Sequence, residues 1–142
     1  MASLHIPTVG ALHNEINVAG PVTWGDSDQD VRFNDSTAVA EIFAIDAQSI
    51  GHILVHRLIA ITDTLSTSLD ATIGDSDDVD GYFTSTVWNP AAAGVALSQT
   101  ATLAYQGCRL YTSAHTIGAT LTAKDTGDGG GKFFLIYSIV DS

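Results

Sequence analysis

An all-β fold is what the sequence predicts: an antiparallel β-sandwich or jelly roll of roughly seven to nine strands, led by an extended N-terminal arm. Short apolar runs alternate with period two, which suits strands with one buried face. Clusters of Gly, Asn, Asp, Ser and Pro separate these runs at short intervals. The polar complement is mostly Thr, Ser, Asn, Gln and Gly, whereas a helical surface would carry Glu and Lys.

Residues 1–20 show no sustained period and are assigned to an arm, with residues 21–142 forming the sandwich domain. The arm carries Leu4, Ile6, Val9 and Leu12, apolar anchors that a solvated tail does not need, so it is expected to pack on a neighbouring subunit. In "STAVAEIFAID", Val39, Glu41, Phe43 and Ile45 alternate against Ala38, Ala40, Ile42 and Ala44, giving a strand. "HILVHRLIAITD" fits two templates. Leu54, Leu58, Ile61 and Leu65 make a helical stripe, while Ile53, Val55, Ile59 and Ile61 make a strand face. Its β-branched residues and lack of a helix cap favour the strand. "LDATIG" places Leu69, Ala71 and Ile73 inward and Asp70 and Thr72 outward.

"NPAAAGVA" is expected to be a small-residue loop with at most one helical turn. "ATLAYQ" and "CRLYTS" are expected as short strands separated by Gly107. "TIGATLTA" sets Ile117, Ala119, Leu121 and Ala123 against Thr116, Thr120 and Thr122. "KFFLIYSIV" is apolar on both faces, which places it centrally in a sheet or beneath a subunit contact. The glycine-rich "KDTGDGGG" between the last two runs predicts a hairpin.

At 142 residues the chain fits one domain, which buries somewhat under about 70% of its unfolded surface. Sixteen acidic residues face five basic ones, for a net charge of −11. Phosphate recognition needs clustered Lys and Arg, so nucleic acid is excluded as an expected partner. No apolar run is long enough for a membrane span, and "MASLHIPTVG" has no secretion-signal pattern. The single Cys108 permits no internal disulfide and no multi-thiolate zinc site, and its strand-like setting predicts a buried thiol.

"ATIGDSDDVDGYF" is the densest chemical feature, and Gly25-Asp26-Ser27-Asp28 echoes its Gly74-Asp75-Ser76-Asp77. Counted from Ser76, an EF-hand register would use Ser76, Asp78 and Asp80, followed by Gly81. The twelfth position is Val87, where a bidentate Glu is required, and the flanks are strands in place of helices. Asp favours turns through local bonds to the backbone, so a connecting turn is preferred to a calcium loop. The upstream copy with Asp26, Asp28 and Asp30 is the weaker of the two. His52 and His56 lack both the Glu of HExxH and a third ligand, and His115 is assigned to a turn. No GxSxG elbow is present, and "GDGGGK" lacks the Ser or Thr and the helix of a phosphate loop. No catalytic residue, metal or cofactor is expected from these patterns.

The run "LVHRLIAITDTLSTSLDATIGDSDDVDGYF" resembles, in its order of β-rich run, threonine-rich turn, "ATIGD" strand and "DxDGYF" loop, the decoration or cement proteins of tailed bacteriophage capsids. The likeness is best over residues 50–85 and continues through "GATLTA" and "KFFLIYSIV". It implies a homo-oligomer, with a trimer favoured, that binds the major capsid protein on the outside of the virion and has no enzymatic activity. Two alternatives accompany it. One is another virion part, a tail, neck or fibre-tip domain binding glycan through Trp24, Trp88, Tyr82 or Tyr105. The other is a small cupin-like enzyme in which His52, His56 and a carboxylate hold a metal.

Overall fold

A computed structural model describes residues 4–7, 15–25, 29–33, 39–47, 51–91, 94–98, 103–105, 108–125 and 129–140. Ten strands and no helix are found among them: β1 (Leu4–Pro7), β2 (Asn17–Gly25), β3 (Val31–Arg32), β4 (Val39–Asp46), β5 (His52–Thr64), β6 (Asp70–Gly74), β7 (Gly94–Leu97), β8 (Arg109–Tyr111), β9 (His115–Ala123) and β10 (Gly130–Val140). They form two sheets, ordered β1-β4-β9-β6 and β3-β2-β10-β5-β7, with β8 also paired to β5. Pairing is antiparallel except for β1 with β4 and β2 with β3. The expected all-β sandwich is therefore the observed architecture.

The core lies between the sheets. From the first come Phe43, Ile45, Ile73 and Ile117; from the second come Trp24, Leu58, Phe133 and Leu135, all buried. Trp24 and Trp88 meet edge to face with centroids 5.5 Å apart, and Phe133 lies 5.4 Å from Trp88. Such contacts are worth about 0.5–1.5 kcal/mol beyond the area they bury.

Bulges decide which apolar residues turn inward. In β4 the register shifts between Glu41 and Phe43, so Ile42 and Phe43 are both buried. In β5 the shift falls at His56, where Ile136 opposes Arg57 and Tyr137 opposes Val55. The segment is the preferred strand, but its inner face passes from Ile53 and Val55 to Leu58 and Ala60, leaving Ile59 and Ile61 on the outer side. An extra residue in one strand reverses the alternation beyond it.

Several expectations are corrected. "KDTGDGGG" does not close a hairpin: β9 pairs with β4 and β6, while β10 pairs with β2 and β5. Both strands have their edges occupied, so this connection crosses between the sheets. Its glycines serve close packing. A Cβ on Gly131 would collide with Ile61 O and the Trp24 indole, and one on Gly129 with Ser66. The acceptor at that contact is used as well, since Trp24 Nε1 donates to Ile61 O at 3.3 Å.

Within "ATLAYQ", Leu103–Tyr105 form a turn and not a strand. Tyr105 N donates to Gly81 O at 3.0 Å, so this backbone bonds a loop and not a ladder. "NPAAAGVA" turns at Asn89–Ala91 and ends as edge strand β7. β2 runs across the boundary drawn at residue 20, bulging where Gly20 takes a φ of +118°. In the expected arm, Leu4 is partly exposed and Ile6 is buried in the shared core, whereas Val9 and Leu12 lie outside the described residues.

Candidate functional site

The acidic stretch leaves β6 at Gly74 and returns through Tyr82 and Phe83. Ile73 and Phe83 exchange backbone bonds at 2.9 Å, which closes the loop at its base. Inside it, Asp78 O accepts from Asp75 N at 3.0 Å and from Gly81 N at 3.2 Å. The Asp78–Val79 backbone passes so close above Gly74 that no side chain fits there.

Asp75 is the buried centre of the loop. Its Oδ1 accepts from Asp77 N at 3.0 Å, Asp78 N at 3.1 Å and Tyr105 OH at 3.0 Å. Its Oδ2 accepts from Tyr111 OH at 2.7 Å and faces Arg109 Nε at 3.4 Å. Tyr82 OH joins Tyr111 OH at 2.9 Å. One shell out, Asp77 Oδ2 accepts from Arg109 Nη2 and pairs with His115 Nε2 at 3.2 Å. The Arg109 guanidinium lies between two rings, 4.9 Å from the centroid of Tyr105 and 5.0 Å from that of Tyr111.

Electrostatics follow from this packing. Burial alone would raise the Asp75 carboxyl; hydrogen bonds from Tyr111, the Asp78 amide, Tyr105 and the Asp77 amide outweigh it and hold the group below its ordinary value. Burial pushes Tyr105 up to about 12, aided by its bond to Asp75. Burial also drives Tyr82 and Tyr111 far above the ordinary phenol value. Burial opposes the charge on Arg109, but the Asp75 carboxylate wins and raises it. Near neutral pH the cluster is thus a carboxylate held by protonated phenols and a cation.

Beside the cluster, on the outer side of the first sheet, is a hollow of about 240 Å³ lined by Glu41, Gly74, Asp75, Ser76, Val79, Thr116, Gly118 and Thr120. Its floor exists because Gly118 pairs with both Glu41 and Gly74, leaving no side chains in the middle of that row. Both Asp75 oxygens already face other donors.

Of the calcium register, Ser76 and Asp80 are exposed, and Asp78 Oδ1 accepts from Asp80 N at 3.3 Å. A side-chain bond with Asp78 raises the Asp80 carboxyl. In the upstream copy, Asp30 and Thr23 bond reciprocally, Asp30 N to Thr23 Oγ1 at 3.0 Å and Thr23 N to Asp30 Oδ2 at 3.1 Å; Asp26 and Asp28 lie outside the described residues. His56 bonds Ser138 Oγ at 2.8 Å, and His52 stands opposite Val140. No three of His, Cys, Asp and Glu gather as a metal site among the described residues.

His115 belongs to β9 and to the Asp77 shell, not to a turn. Cys108 is exposed where a buried thiol was expected, because it precedes the first paired residue of the three-residue β8. Trp24, Trp88 and Tyr82, the aromatics considered for glycan, are buried core residues, and Tyr105 packs edge-on against Tyr82. Sequence reasoning missed the partnership of Arg109 and Tyr111 with Asp75. The available signal was an arginine and a tyrosine two apart on one strand of a chain with only five basic residues.

Comparison with protein-family models, curated proteins and solved structures finds no match.

Proposed function

We propose that this is a virion structural protein, a decoration or cement protein that binds the outside of an assembled phage capsid as a homo-oligomer and stabilises it without chemistry. The observation that carries this reading is the closure of the Asp75 cluster: five donors within the chain face its two oxygens, which fasten the loop to β8 and to the turn at Tyr105. This buried polar cluster ties the loop down, which suits a module that presents fixed surfaces. A subunit that binds only the assembled lattice stabilises it by mass action.

Sedimentation with capsids tests the reading. The purified protein is expected to pellet with mature capsids, to stay behind with unassembled capsid subunits, and to do so equally with chelator present. Equal binding to both forms, or none to either, would overturn it.

A further inference from the structure

The two outward faces of the sandwich differ in chemistry. The first sheet presents Glu41, Thr116 and Thr120 around its hollow, with Thr72 paired to Thr120. The second presents apolar rows set by its register. Val18 and Arg57 flank Ile136; Phe134, Ile59 and Leu97 form the next row; Lys132, Ile61 and Val95 form the third. Their alternates Phe133, Leu135, Leu58 and Ala60 fill the core, so these side chains point away from it. Val18 is 62% exposed and Val95 63%. Antiparallel sheets with one solvated face normally place polar residues there.

The charges on this face are few and arranged in a pattern. Arg57 and Lys132 are two of the five basic residues of a chain with net charge −11. Lys132 Nζ pairs with Asp63 at 3.3 Å, while Arg57 forms no ion pair among the described residues. Arg57 and Asp63 lie three positions either side of Ala60; Asp63 is the bulged residue between Thr62 and Thr64, and its pairing with Lys132 holds it on the outer side of β5. Laying a second β5 antiparallel across the first at Ala60 brings each Arg57 toward the other copy's Asp63, and each Ile59 toward the other Ile61.

We infer that this face is an isologous interface, covered by the same face of a second copy about a two-fold axis near Ala60. Strands β2, β10, β5 and β7 hold 9, 11, 13 and 4 residues; at about 3.3 Å per residue and about 4.8 Å between strands they offer on the order of 600 Å², the low end of what one partner gives to a standard interface. A partner in a standard stable interface contributes about 800 Å². Stacked sheets pack about 10 Å apart and roughly 30° from alignment, within reach of long Arg side chains. Asp63 is the one carboxylate among the residues named on this face, so joining it brings few carboxylates of the two copies together. Two copies satisfy this pattern, not the three implied by the resemblance.

The mass of the full chain in solution, measured by light scattering or sedimentation equilibrium, tests the interface. The expected value at micromolar concentration is twice the 14.8 kDa of one chain. Arg57→Asp and Asp63→Arg should each lower it toward one chain, with an unchanged β-type circular-dichroism spectrum as the check on folding. The double exchange should restore the pair. A monomeric native protein, a three-chain mass, or a dimer indifferent to the single exchanges would overturn the inference, as would a double exchange that stays monomeric while folded. Sedimentation with capsids is a separate readout, so failure of the capsid reading and failure of this interface are distinguishable.

Discussion

Tyr111 donates its phenolic proton to Asp75 Oδ2 at 2.7 Å, joining residues 36 positions apart in sequence within the protein interior. That bond turns the acidic loop from a solvated connection into a clamped one. Removing its acceptor should therefore be costly. Asp75→Ala leaves Tyr105 and the Asp77 and Asp78 amides without this acceptor and Arg109 without its inner partner, and should cost about 2–3 kcal/mol. A fall in the urea midpoint at constant slope is the expected result.

The same carboxylate sets an acid limit. Its folded-state value lies below the ordinary 3.8, so its contribution is fully present above about pH 4 and is lost as pH falls through the folded value. Urea midpoints followed from pH 6 downward should decline below pH 4 in the native protein. Asp75→Asn should start lower and decline less.

Packing of the glycine run separates two neighbouring positions. Gly131→Ala forces a Cβ into Ile61 O and the Trp24 ring, whereas a Cβ at Gly130 meets only Trp24 O at 3.5 Å. Thermal unfolding should show a loss of about 1–3 kcal/mol for Gly131→Ala. Gly130→Ala should stay within about 0.5 kcal/mol of the native protein.

Ser98 supplies a side-chain substitute for a ladder bond. Its Oγ accepts from Leu58 N at 2.8 Å while its own N donates to Leu58 O at 3.0 Å. Ser98→Ala strands a buried amide and should cost about 1–3 kcal/mol in denaturant titration.

Much of the fold was legible because period-two patterning survives in strands with one buried face. β6 shows it plainly, with Ala71 and Ile73 in and Thr72 half-out. β10 was legible as a central strand because both its faces are apolar. What failed has a common physical origin: local signals do not carry long-range pairing. A glycine cluster looks the same whether it turns a hairpin or admits a tryptophan, and only the occupied edges of β9 and β10 decide between them. The bulge at His56 likewise has no local mark, although it decides that Ile59 and Ile61 face outward. The Asp75 cluster was half legible. Its loop was visible as a turn, but its clamp comes from β8, β9 and a turn near residue 105, which only the folded chain brings together.

The thermal stability of mature capsids, followed by calorimetry with and without added protein, tests most directly the claim that this sandwich works by binding an assembled lattice. The expected result is a capsid transition that moves to higher temperature as protein is added and then saturates. A capsid transition that stays fixed at saturating protein would contradict the account.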